Sequence, residues 1–474
     1  MNRRKFIHQA SCAAVGSSTL FSTLANLMMT NSLSSPKLNS SSTGYKAMVC
    51  ILLAGGNDSF NMLVPHKKFS SGSPPGSYNE YADARGNMAL SHSSLRQLNF
   101  TAQNGNTYGV HNSMPNTRNL FDSGKLAFLS NVGTLIHPIP DRSFFSSAEK
   151  PLGLYSHADQ IQQWQTSVPH SRQALGWGGR VADIINTMNT NQDISMNISL
   201  DGRNVFQTGN QTFEYSISNT ENAVGPIQKI PEGYNRGYLN VLRDQTIDSM
   251  VSEMYNNVFQ KTLSNQLKTS IDSQSQFRNA IAGVPSITTN FSSHKLSQDL
   301  KMMARSIAAA DELNMNRQIY FTSFGGWDLH SDLISSHDTK LEVLDNALSE
   351  FNAAMEELGM ENQVTTFTIS DFGRTMTSNG NGTDHAWGGN QLVMGGAVNG
   401  QQIYGEYPNL ATSANVANIS RRGILIPQLS TDEMFAELAI WFGMSYTDLA
   451  YVFPNLHNFF SMTPGDLPIG FMDA

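Results

Sequence analysis

The chain has 474 residues, 39% of them hydrophobic, with 37 glycines and a formal net charge of −8. That is enough apolar chain for a large core. The negative balance argues against nucleic acid or an anionic membrane surface as a partner, because both attract basic patches.

The N-terminus begins Met1-Asn2-Arg3-Arg4-Lys5-Phe6-Ile7, followed by a moderately apolar segment to about Met29. A basic start, a weak apolar stretch and a Ser-rich spacer read as an export signal over residues 1–30. The adjacent arginines resemble the twin-arginine signal. They imply the twin-arginine export machinery as a partner and a periplasmic or otherwise exported bacterial location. Residues 31–43 read as a polar linker. Of the two cysteines, Cys12 falls inside the signal, so the mature chain keeps only Cys50 and no intramolecular disulfide is expected. No later segment is long and apolar enough to span a membrane, so no stable membrane insertion is expected.

From residue 44 to 474 we expect a single α/β domain, a central mostly parallel sheet with helices on both faces. Ala47 to Leu53 is a continuous apolar run, as for a strand buried on both faces. It ends in Ala54-Gly55-Gly56-Asn57-Asp58, which puts Asp58 at the strand's carboxyl end, either as a turn residue or as a ligand. Tyr78 to Tyr108 is polar and turn-rich and reads as a surface excursion. Ser113 to Asp122 predicts a short helix capped by Ser113, with Pro115 in its first turn. Leu126 to Val132 is a second buried strand. Ser156-His157 then opens a helix, so the Ser156 hydroxyl lies among free backbone N–H groups, as a cap or as a nucleophile.

A helix follows Gly176, then a strand-like stretch from Ile194 to Leu200. Residues of about 205–317 turn polar and mainly helical and read as an insertion on the sheet. Gln318 to Phe324 returns to strand character and stops at Gly325-Gly326-Trp327-Asp328-Leu329-His330. Leu341, Leu344, Leu348, Phe351, Met355 and Leu358 form one apolar stripe at helical spacing. Val364 to Ile369 is the next strand, closed by Ser370-Asp371. Strand, helix and strand in that order predict a parallel βαβ unit, which brings Asp328 and Asp371 out at one edge of the sheet. Asp384-His385 arrives on the following loop, just before a strand at Gln391 to Met394. Thr431 is expected to cap the C-terminal helix.

The strand ends therefore collect Asp58, Ser156-His157, Asp328 with His330, Asp371 and Asp384-His385. So many carboxylates beside imidazoles at one edge call for a divalent metal ion, one or more, of open identity among Zn, Ca, Mg and Mn.

Gly55-Gly56-Asn57-Asp58, Ser156-His157, Gly325-Gly326-Trp327-Asp328-Leu329-His330, Ser370-Asp371-Phe372-Gly373-Arg374 and Gly382-Thr383-Asp384-His385-Ala386-Trp387 resemble the bacterial domain-of-unknown-function family 1501. That family is placed in the alkaline phosphatase-like superfamily, with sulfatases and cofactor-independent phosphoglycerate mutases. The resemblance implies a hydrolase of a small anionic ester, phosphate or sulfate. Asp58, His157, Asp328, His330, Asp371, Asp384 and His385 are then metal candidates, Ser156 the nucleophile and Arg374 a group for an anionic substrate oxygen or a partner of Asp371. Two departures stand out. Phe372 occupies a place where the superfamily often has a ligating His, and Ser113-Met114-Pro115 is followed by Thr117 rather than the Arg of a sulfatase nucleophile motif. The alternative expectation is a non-catalytic periplasmic binding or assembly protein that keeps the fold.

Overall fold

The continuous apolar runs pair edge to edge. The computed structural model describes residues 44–220, 238–253, 258–413 and 415–473. The expected signal, the linker and parts of the insertion at 221–237 and 254–257 lie outside them.

The main sheet contains β1 (Lys46–Leu53), β5 (Leu126–Gly133), β6 (Asn197–Ser199), β7 (Tyr215–Ser216), β8 (Arg317–Phe324), β9 (Val364–Ser370), β10 (Gly389–Met394), β11 (Ile403–Tyr404) and β12 (Leu429–Ser430). Its order is β11-β5-β10-β9-β1-β8-β6-β7, with β12 also on β5. Pairings are parallel except those of β10, which runs antiparallel to both β5 and β9. The expected α/β architecture is present, with one refinement. β8 and β9 are not neighbours, because β1 lies between them and is parallel to each.

β1 shows why the sheet is covered on both sides. Ala47, Val49, Ile51 and Leu53 face one core, and Met48, Cys50 and Leu52 face the other. The first core is closed by helices at Pro115–Asp122, Lys295–Ala308 and Leu333–Leu358. The second is closed by helices at Trp177–Ile185 and Thr431–Phe442, where Trp177 stacks on Phe435. The stripe Leu341, Leu344, Leu348, Phe351 and Met355 is buried as its spacing predicts. The helix that carries it ends at Gly359 in left-handed conformation. Cys50 is buried and free, and burial pushes its thiol well up. Among the described residues no helix is long and apolar enough to cross a membrane.

Three local expectations are corrected. Tyr78 to Tyr108 is not a surface excursion. It holds a helix, Tyr78–Arg85, whose Tyr81 and Arg85 are buried, and part of an antiparallel sheet of β2 (Leu63–Pro65), β4 (Thr107–Val110) and β3 (Arg96–Thr101). Its polar sequence conceals internal polar pairs. Ser113 does not cap the next helix, which starts at Pro115 after Met114. The Ser113 hydroxyl bonds to Asp338 instead. Ser430, not Thr431, caps the C-terminal helix, through a reciprocal capping box with Glu433.

Candidate metal centre

β1, β8 and β9 all end at the same edge, and the loops after them interlock. Gly55 adopts φ +121°, and a Cβ there would lie 2.4 Å from the backbone N of Asp328. Glycine thus lets the loop after β1 press against the loop after β8. Its N–H donates to Asp371 Oδ1 at 2.9 Å, which ties in the end of β9. The chain from Asp371 to Gly389 then folds back on itself. Gly373 N–H donates to Trp387 O, Ala386 N–H to Gly373 O and Thr375 N–H to Asp384 O. This hairpin carries Asp384 and His385 to the same edge.

Three imidazoles and one carboxylate converge there. His157, first residue of the helix His157–Thr166, Asp328 and His385 each offer one donor atom, all within 4.8 Å of one another. His330 adds Nε2 at 3.0 Å from both Asp328 Oδ1 and His385 Nε2. Each ring is anchored through Nδ1. That of His157 lies 2.6 Å from Asp371 Oδ2, that of His330 3.0 Å from Asp384 Oδ1, and that of His385 2.9 Å from the carbonyl of Tyr155. In a neutral ring an Nδ1–H donated to such an acceptor makes Nε2 the lone-pair nitrogen, and a protonated ring would instead donate Nε2–H to Asp328. The Nε2 of His157 is buried and has no hydrogen-bond partner.

The surrounding charges hold this arrangement. Arg374 is fully buried and donates to Asp328 Oδ1 at 2.7 Å, and its other hydrogen bonds go to Thr383 and the Gly55 carbonyl. Burial raises the Asp328 carboxyl, but Arg374, His330 and His157 outweigh it and hold it below the usual value. Burial likewise acts upward on Asp384, against Asn379, Arg422 and His330, which together bring it down to about 2. For Asp371 burial wins and raises the carboxyl, opposed by the Gly55 N–H and His157. Burial also lowers His385. Phe372 is buried, with its ring centroid 4.8 Å from that of His157 and 4.5 Å from that of His385. Gly56 leaves room for that ring, since a Cβ there would come within 2.7 Å of it.

The expected site residues separate into groups. His157, Asp328, His330 and His385 meet, with Asp371 and Asp384 behind two of the imidazoles as acceptors rather than among the converging atoms. Asp58 stands apart, paired with Arg85 and accepting from the Thr383 hydroxyl. Arg374 pairs with Asp328 rather than Asp371, and its other donors go to Thr383 and the Gly55 carbonyl. Ser156 is half-buried at the N-cap position, makes no capping bond, and joins Arg172 in holding Asp159 below its usual value. Sequence reasoning missed Arg85, Arg422 and the Tyr155 carbonyl. Tyr155 has φ +74°, a conformation no composition rule announces. The cavity lined by Phe100, Tyr108, Glu406 and Tyr407 contains none of these groups.

The family described as a protein of unknown function, DUF1501, matches residues 45–426. The chain belongs to the DUF1501 family. All the converging residues lie within that match. No curated protein sequence matches this family member. Among solved structures it is similar to Ps i-CgsB in complex with k-i-k-neocarrahexaose, at 10% identity over 84% of this chain and 72% of that one, TM-score 0.32. It is also similar to the PsFucS1 sulfatase from Pseudoalteromonas sp., at 8% identity over 89% and 71%, TM-score 0.34. A third is wild-type alkaline phosphatase PafA, at 9% identity over 70% and 63%, TM-score 0.27.

Proposed function

We propose that this DUF1501 member is an exported, metal-dependent hydrolase of small anionic esters, phosphate or sulfate, with an alkaline phosphatase-like fold. One observation carries the reading. The Nε2 atoms of His157 and His385 converge with Asp328 at the carboxyl edge of a mostly parallel sheet, His330 lies against Asp328 and His385, and each ring has an acceptor behind Nδ1. Those residues fit a divalent cation, since neutral imidazole lone pairs and a carboxylate are metal donors and the buried His157 Nε2, 3.4 Å from Asp328 Oδ2, makes no hydrogen bond. A cation held there supplies Lewis-acid polarisation of an ester oxygen.

The chain's own groups do the rest. Asp371, Asp384 and the Tyr155 carbonyl orient the rings, and Arg374 fixes the Asp328 carboxylate. Counting Asp328, Asp371 and Asp384 against Arg374 and Arg422, with neutral imidazoles, the cluster is one unit negative. A bound dication reverses that sign, which suits an anionic substrate and disfavours a cationic one. Arg422, half-exposed and bonded to Asp384, is the guanidinium open to solvent beside the cluster. Ser156, next to His157 at the open end of its helix, is the nucleophile candidate. Arg3-Arg4 supports twin-arginine export to the periplasm.

The test is hydrolysis of aryl phosphates and aryl sulfates by purified, metal-replete protein. Turnover is expected on one class and is expected to disappear in His385→Ala and Asp328→Asn with the fold retained by circular dichroism. Ser156, whose hydroxyl is turned to Asp159, favours a second reading, a binding or assembly protein that keeps the metal without the chemistry. A folded, metal-replete chain inert on the whole panel would establish that reading instead.

A further inference from the structure

We infer that this edge holds one divalent cation of the class that prefers imidazole, such as zinc or ferrous iron, and that Arg85 takes the place of a second. The inference rests on the metal-dependent reading above and narrows it in number and kind.

The kind follows from the donors. The Nε2 atoms of His157 and His385 and one Asp328 oxygen lie within 4.8 Å of one another, His330 packs against Asp328 and His385 as a further nitrogen, and the Nδ1 of each ring lies against an oxygen acceptor. The Nε2 atoms of His330 and His385 lie 3.0 Å apart. At that distance the two nitrogens share a proton in a hydrogen bond, which a bound cation would displace. A nitrogen-rich set suits zinc, iron or copper, whereas calcium and magnesium take oxygen ligands.

The number follows from what remains. A second cation at this edge needs free carboxylates, and the two nearest by strand position are spent. Asp58 is gripped through both oxygens by Arg85, with the two side chains 1% and 0% exposed, and also accepts from Thr383. Arg85 in turn bonds to the carbonyl of Thr375, which locks it onto the same hairpin that carries His385. Asp371 has one oxygen on the Gly55 N–H and the other on His157. Phe372 fills the space beside His157 and His385 with an apolar ring. Among the described residues no second group of three or more His, Cys, Asp or Glu donors comes as close together. The guanidinium thus supplies the Asp58 carboxylate with a fixed positive partner in protein form.

The experiment is metal counting on the mature chain. Protein stripped with a chelator is loaded separately with zinc, calcium or magnesium, passed through gel filtration and analysed by inductively coupled plasma mass spectrometry, with a thermal-shift scan in parallel. The expected result is one equivalent of zinc per chain, a rise in Tm with zinc only, and loss of both in His385→Ala. The paired change Asp58→Asn with Arg85→Gln is expected to keep the single equivalent. If that variant does not fold, the wild-type count still decides. Two equivalents, or retention of calcium or magnesium instead of zinc, would overturn the inference and leave ester hydrolysis standing. No metal of any kind on folded protein would remove the metal-dependent reading as well.

Discussion

Replacing Asp371 by Asn keeps the volume behind His157 and removes one acceptor. The carboxylate now serves the Gly55 N–H and His157 Nδ1 at once, and an amide has only one carbonyl oxygen. Either the ring loses its anchor or the backbone N–H does. Support of this type is worth about 10- to 100-fold in metal affinity, so Asp371→Asn is expected to weaken zinc binding by that order. A competition titration against a chromophoric chelator measures it, and unchanged affinity would show that Asp371 does not orient the ring. The sequence made Asp328, His330, Asp371, Asp384 and His385 legible because each falls at a strand end or on the loop that follows. It did not reveal which of them converge and which stand behind. That division depends on the direction of each ring, set by Tyr155 and by a hairpin whose pairing no local pattern announces. Arg85 was hidden for a different reason. It lies in a polar stretch, and its partner Asp58 is 27 residues earlier in the chain.

Among the elements, the loop after β1 bears the most. Gly55 has a conformation side chains rarely adopt and no space for a Cβ beside Asp328. Gly55→Ala is expected to cost about 1–3 kcal/mol from backbone strain alone. It is also expected to separate the ends of β1, β8 and β9, so metal affinity falls with stability. Urea unfolding together with the zinc titration checks both, and a loss of stability with full zinc affinity would show that the three strand ends are positioned independently. The helix Leu333–Leu358 gives the contrasting case. Its apolar stripe faces a core away from the cluster, so Leu348→Ala is expected to cost roughly 2–5 kcal/mol while leaving zinc affinity unchanged. The stripe was readable because helical spacing and burial coincide. The small antiparallel sheet was not, since its strands are short and mix polar with apolar residues.

For the whole molecule, pH dependence is written at the second core. Asp432 and Glu433 begin the C-terminal helix, and burial raises both carboxyls to about 7 from ordinary values of 3.8 and 4.5. Ser167 and Arg180 oppose the shift at Asp432, and the Ser430 N–H opposes it at Glu433. Because the folded chain holds these protons more tightly than the unfolded one, their contribution is fully present below the unfolded values and is lost as pH rises through about 7. Their contribution is therefore expected to decline as pH rises from the unfolded values of 3.8 and 4.5 to about 7 and to level off above that. Asp432→Asn, which cannot ionise, is expected to flatten that decline. Melting temperatures across the range decide it, and an equally steep curve in the variant would assign the dependence to other groups.

The place of β1 between β8 and β9 has a consequence for the order of assembly. Lys46 pairs with Arg317 and Ala47 with Val364, so the central strand is among the first described segments to be synthesised and waits for two partners far later in the chain. Until β9 has emerged, a strand apolar from Ala47 to Leu53 has at least one edge without its partner. Long-range pairing of this kind makes folding slow and exposes the waiting strand to other chains. The same pairing brings Gly55 to Asp371, so the proposed metal centre cannot form before the sheet closes. Under that proposal metal capture is a late event in the life of each chain, and retained cation would report completed central pairing.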